Sequence, residues 1–128
     1  MSDFTDHQES ETLSSIAALN PHVALHAGDP TNSGEVNEVD AASYDRQQVM
    51  EADWTVSGSD PTNLTNDNTI DFGEATESWG DVTHYVIWDG ATDTDNALVT
   101  GALDDSPHSI TSGEQVSIPA GGVSVDLT

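Results

Sequence analysis

Residues 79–89, WGDVTHYVIWD, constrain the fold more than any other stretch: they form the longest aromatic and β-branched run in the chain and hold two of its three tryptophans, Trp79 and Trp88. Read as a strand, the run sends Val82, His84, Val86 and Trp88 to one side and Thr83, Tyr85 and Ile87 to the other, because successive side chains alternate across a pleated backbone. Bulk on both sides predicts a central strand covered on both faces.

The rest of the chain is acidic and rich in turn residues. Asp and Glu number 24 against one base, Arg46; there is no lysine, and the formal net charge is −23. In dilute buffer such self-repulsion opposes the compact state, whereas at molar salt the Debye length falls to about 3 Å and the repulsion is nearly abolished. The acids are dispersed between β-like runs instead of forming blocks, which predicts a folded chain from a halophilic source and not an acidic disordered tail. With no basic stripe to displace counterions from phosphates, nucleic acid is excluded as a partner, and an anionic membrane would repel the chain. No run approaches the ~20 apolar residues of a membrane span. The opening MSDFTDHQES has neither the cationic nor the apolar segment of a secretory signal, so synthesis in the cytoplasm is expected.

At 128 residues the chain can bury roughly two thirds of its unfolded surface in one domain. Aromatic residues make up only 5% and cysteine is absent, so the core must be small, unstapled and built mainly from Val, Ile, Leu and Ala. Residues 8–19 place Leu13, Ile16 and Ala17 at helical spacing, with Leu19 close by and acids early where the helix dipole favours them. Asn20-Pro21 ends that helix. Strands are then predicted over residues 22–27, 44–50, 52–57, 69–72, 97–103, 109–111, 115–118 and 123–127, besides the central run. Residues 31–42 and 58–68 read as polar loops, and 89–96 as the loop of a hairpin. The fold expected is all-β: an antiparallel β-sandwich, jelly-roll-like, of eight or nine short strands. Residues 1–20 form an N-terminal helical arm and 21–128 the sandwich domain.

Chemistry-bearing motifs are sparse. His22 and His26 share one strand face, but no third ligand or HExxH helix accompanies them, and they and His84 read as strand histidines. Asp89, Asp93 and Asp95, with Asn96, present clustered oxygens in a tight loop, the kind of donor set a hard cation takes, and form the candidate site for a structural Ca or Mg ion. Their spacing is not that of an EF-hand. No GxSxG elbow, P-loop, Schiff-base lysine or thiolate is present, so no enzyme is expected and no catalytic residue is assigned. Asn63-Leu64-Thr65 matches the glycosylation sequon in a predicted loop.

Several stretches, in order, resemble a family of small virion proteins of tailed viruses, the tail-fibre-like proteins. They are VALHAGDP from Val23, EVNEVDAASYDRQQV from Glu35, WGDVTHYVIWD from Trp79, LVTGAL from Leu98, ITSGEQV from Ile110 and GGVSVDL from Gly121. Together they span nearly the whole chain. Ala41, Ala42 and Ser43 stand where relatives are usually richer in glycine, and acids replace most surface positions. The resemblance implies a self-associating β-sandwich on the particle surface; with the salt argument, the virus would infect halophilic archaea. The short chain lacks a repetitive shaft, which favours a capsid decoration or turret subunit on the head over a small tail or tail-fibre component involved in host attachment. Its partners would be its own copies in a cyclic trimer or pentamer, and the major capsid protein or neighbouring tail proteins. The rival class is a carbohydrate-binding adhesion module that meets host surface glycans through exposed Trp54, Trp79 and Tyr44.

Overall fold

The computed structural model describes residues 4–31, 33–58, 62–92, 95–103 and 107–127. Among them run a helix, α1 (Asp6–Ala18), a 3-10 turn (Glu51–Asp53) and eleven strands. The strands are β1 (His22–His26), β2 (Gln47–Gln48), β3 (Trp54–Ser57), β4 (Thr62–Asn66), β5 (Ile70–Glu74), β6 (Gly80–Val82), β7 (His84–Trp88), β8 (Ala97–Ala102), β9 (His108–Ile110), β10 (Gln115–Ile118) and β11 (Ser124–Leu127). All pairings are antiparallel, in sheets ordered β2-β1-β7-β8, β11-β4-β3, β10-β5 and β6-β9. The all-β sandwich with one short N-terminal helix is therefore the observed architecture, with more and shorter strands than the eight or nine expected.

β7 is an interior strand with four of its five residues buried. One face contributes Tyr85 and Ile87, with Val23 and Leu25 of β1, to the main core, which also holds Leu64, Ile70, Phe72 and Val116 from the other sheets and Val123 just ahead of β11. The opposite face carries Val86 and Trp88 with Ala24, a second small cluster. The run predicted as a single strand is nevertheless broken at Thr83. Its N–H donates to His26 O at 2.9 Å and its carbonyl accepts from Leu103 N at 2.9 Å, while β6 leaves to pair with β9. The break resets the alternation, so Val82 joins the main core instead of the Val86 and Trp88 face. Trp79 lies ahead of β6, 4% exposed, edge-on to Tyr44 at 5.4 Å.

Other predicted boundaries move for local reasons. Of residues 44–50 only β2 is strand, and the 52–57 run starts as the 3-10 turn before β3. The largest departure is β4, which lies within the predicted loop 58–68 and sits at the middle of its sheet. Its inward positions are Thr62, Leu64 and Asn66, all at most 2% exposed, so two of three buried side chains are polar. Asn66 is fully used: Nδ2 donates to the Asn68 and Pro119 carbonyls at 2.8 and 3.0 Å, and Oδ1 accepts from Val123 N at 3.0 Å. A buried amide so satisfied holds the 119–123 turn against β4 without a desolvation penalty left over.

The helix is docked on this sheet. Thr5 caps it, its Oγ1 accepting from Gln8 N at 3.2 Å, and Asn20 just beyond its end adopts φ +50°, the left-handed conformation suited to a helix stop. Leu13 and Ala17 enter the main core while Leu19 is 52% exposed, so Leu19 falls outside the buried stripe. Glu9, 1% exposed, accepts from the Thr62 hydroxyl of β4 at 2.7 Å. Replacing Leu13 by Ala should cost about 2–5 kcal/mol in denaturant unfolding, and a loss within a few tenths would show the helix to be an undocked arm.

Candidate functional site

The chain's one base occupies the centre of the outer face of the β2-β1-β7-β8 sheet. The Arg46 side chain is 5% exposed, and its guanidinium carbon lies 4.0 Å from the Trp88 ring centroid. Arg46 Nε and Nη2 donate to the two carboxylate oxygens of Glu38 at 2.9 and 2.8 Å, a bidentate fork. Nη1 reaches across to the β7–β8 hairpin loop and donates to Thr92 O at 2.8 Å and Gly90 O at 3.4 Å. The Tyr44 hydroxyl donates to Glu38 at 2.7 Å and accepts from Leu25 N at 3.0 Å, tying the ion pair to the backbone of β1.

The electrostatics follow from this packing. Burial pushes the Glu38 pKa up, but the donors of Arg46 and Tyr44 and the Arg46 charge outweigh it and hold the carboxyl below its usual range. Burial first, and the Glu38 charge second, drive the Tyr44 phenol well above its ordinary value, so it stays a donor. The loop expected to be exposed at residues 31–42 is drawn down over the sheet by these contacts. Val39 is buried, Glu38 bridges to His26, and Gly34 at φ +72° passes so close that a Cβ there would lie 2.6 Å from Ala97 Cβ.

Beneath that loop sit the strand histidines. His26 is 0% exposed; its Nδ1–H donates to Val36 O at 2.8 Å, since a carbonyl can only accept, which leaves Nε2 as a buried lone pair with no partner among the described residues. Desolvation lowers its pKa, opposed by the Val36 bond and Glu38 and assisted by Arg46 and His84. His84, opposite it in the register, meets Thr83 Oγ1 through Nδ1 at 2.7 Å.

A second hub forms around Ser43. Its hydroxyl accepts from the Trp79 indole N–H at 3.0 Å and from Thr76 N at 3.1 Å and donates to Glu77 at 3.0 Å. The small-residue stretch 41–43 thereby lets the chain close over Trp79. Hydrogen bonds from Thr76 and Ser43 lower the Glu77 pKa.

The acidic hairpin loop is closed by its own carboxylates. Asp89 accepts from Asn96 N at 2.8 Å and Nδ2 at 3.0 Å, and Asp95 accepts from Thr92 N and Oγ1, both at 2.9 Å. The Thr92 bonds lower the Asp95 pKa. Asp93, the third member of the candidate cation set, lies outside the described residues, and among the described residues no three His, Asp or Glu side chains gather as a metal site. The predicted aromatic sugar platform is absent from the surface: Trp54, Trp79 and Tyr44 are 7%, 4% and 9% exposed. Asn63 lies in β4, not in a loop, and its amide donates to Ser124 Oγ at 2.7 Å and Asp126 at 2.6 Å.

The family described as Gp80, podophage GP4 fiber I protein gp80, matches residues 9–126. The chain belongs to this family. Neither the curated proteins nor the solved structures compared with it gave a match. The gp80 match opens at Glu9, the buried acid of α1, and closes inside β11, so it takes in the docked helix, both hubs and every sheet.

Two outcomes are expected. Arg46→Lys keeps the charge but loses the planar fork and the stacking on Trp88, and should lower unfolding free energy by about 2–3 kcal/mol in denaturant titrations read by tryptophan fluorescence. For His26, a folded-state pKa below about 6.5 means the neutral ring is favoured by folding; its contribution is present above that pH and is lost as pH falls through the window beneath it. The stability of the wild type relative to His26→Gln should therefore decline from about pH 7.5 to 5; a constant difference would contradict the buried lone pair.

Proposed function

We propose that this protein is a structural, non-enzymatic component of the virion: a small fibre-type subunit of a tailed virus whose particles work in concentrated salt, displayed at the particle surface and associated with its own copies. Membership of a viral fibre family over residues 9–126 carries the reading. The geometry supports it. Interior polar groups are spent on locking loops to sheets, as in the Arg46 and Ser43 hubs.

The salt reading rests on the sequence: 24 carboxylates and one base, and that base is buried under its own loop. Copies crowded beside one another then meet across acidic surfaces, tolerable where screening is short-ranged. The fibre family favours the tail over the head-decoration placement that chain length suggested, with neighbouring tail proteins as the other partners.

Gold-labelled antibody on intact particles tests the placement. Label confined to tail appendages is expected; label spread over the head lattice would assign the chain to decoration instead, and particles without the protein would overturn the virion reading. Dialysis from molar to about 0.1 M salt should shift purified oligomers to slower sedimentation, and an unchanged profile would count against screening as what allows association.

A further inference from the structure

Residues 33–40 form a flap along the side of β1 that faces away from β7. β2 pairs with β1 at His22 and Val23 alone, and further along β1 the flap takes its place. Ala27 N–H donates to Asn37 O at 2.8 Å, Val39 N–H donates to Leu25 O at 3.0 Å, and His26 and Glu38 form the bridge between them. Gly34 closes over Val86 and Trp88, which with Ala24 make up the small outer cluster. The cover is thin. Ser33, Glu35, Val36, Asn37 and Asp40 are exposed, and Val39 is the flap's one contribution to the main core. A segment with so little apolar burial opens at far lower cost than the sheets it lies on.

His26 is the group beneath it whose protonation that cover opposes. Its Nδ1–H is bonded to the flap itself, at Val36 O, and its Nε2 is buried without a partner among the described residues. An imidazolium carries two N–H donors, so a proton on Nε2 would set an unmatched donor and a positive charge in a site closed to water. The charged and titratable groups acting on the ring are Glu38 on the flap, Arg46 beside it and His84 on β7. β2 contributes only Gln47 and Gln48, and His22 lies at the other end of β1, paired with Trp88. Glu38, the one attractive charge, is already committed to the Arg46 fork and the Tyr44 hydroxyl.

We propose that His26 is the trigger of an acid-released flap: taking a proton from solvent on Nε2 lifts residues 33–40 from β1 while the sandwich stays folded. Opening hydrates the imidazolium and uncovers Ala24, Val86 and Trp88, so this face is available only in acid. The sign follows from burial, Arg46 and His84 outweighing Glu38 and the Val36 bond, which leaves the closed-state pKa below that of a free histidine. The flap is held fully above about pH 6.5; below that its opening constant rises by at most about tenfold per pH unit, and levels off beneath the closed-state pKa. Glu38, held below the usual carboxylate range, stays ionised where His26 begins to titrate.

Amide hydrogen exchange on the full chain in molar salt, each rate divided by its intrinsic rate at the same pH, tests this. Ala27 and Val39 report the flap, and the amides of the interior strand β4 report the sandwich. Protection at Ala27 and Val39 should fall as pH drops from 7.5 to 5 and stop falling where the His26 ring itself titrates by NMR. Low urea should leave these two amides almost unaffected while speeding exchange in β4, as local and global opening require. His26→Asn keeps an amide able to donate toward Val36 O but cannot titrate, and its flap protection should be independent of pH. Constant protection in the wild type, a fall retained by His26→Asn, or flap amides sharing the urea dependence of β4 would each overturn the switch. If His26→Asn does not fold, the wild type decides: protection that levels off at the pH where the ring titrates supports the trigger, and a mismatch of the two overturns it.

Discussion

A buried guanidinium, held between the face of Trp88 and the carboxylate of Glu38, is the interaction on which the outer half of this sandwich depends. Desolvating an arginine and a glutamate is expensive unless both are well satisfied. Here the fork is bidentate, the tyrosine hydroxyl adds a third donor to Glu38, and loop carbonyls take further Arg46 protons. The 31–42 loop with the 44–48 segment that follows it, and the distant β7–β8 hairpin, are thereby fixed to one sheet face. Without that lock the loop would expose Val86, Trp88 and the histidines of β1 and β7 to water.

This arrangement also explains how so acidic a chain keeps an ordered interior. Several interior polar groups are paired with short-range partners whose worth changes little with ionic strength: Glu9 with Thr62, Asn66 with the 119–123 turn, Ser43 with Trp79 and Glu77. The surface carboxylates do the opposite, since their mutual repulsion varies steeply with salt. Stability of the fold and the proposed association of its copies would thus be controlled by different groups. The Arg46 lock and the core set the first, and exposed aspartates and glutamates would set the second.

The parts of the fold legible in the sequence are those where burial and hydrophobicity coincide. β1, β7, β8 and the helix stop at Asn20-Pro21 could be read directly, because apolar alternation and a proline mark them. β4 could not, since Thr62 and Asn66 are polar side chains buried by virtue of hydrogen bonds that only the tertiary structure reveals. The break at Thr83 was hidden for the converse reason: threonine is at home in strands, and no glycine or proline announces the change of sheet. Loop 31–42 is polar in composition yet buries Val39 and Gly34, because its cover is secured by Glu38 and not by apolar content. One signal for the site was present and unused. In a chain that gives 24 positions to acids and one to a base, the retained arginine has no surface role to play, and its isolation points inward.

The most direct measurement is a double-mutant cycle on Arg46→Met and Glu38→Gln, each variant and the pair unfolded in denaturant at low and at molar salt. A lock buried against Trp88 predicts a coupling energy of about 2–3 kcal/mol that is nearly the same at both salt concentrations, since buried pairs are screened little. Coupling within a few tenths of zero, or coupling that disappears at molar salt, would place the pair on the surface and contradict the account.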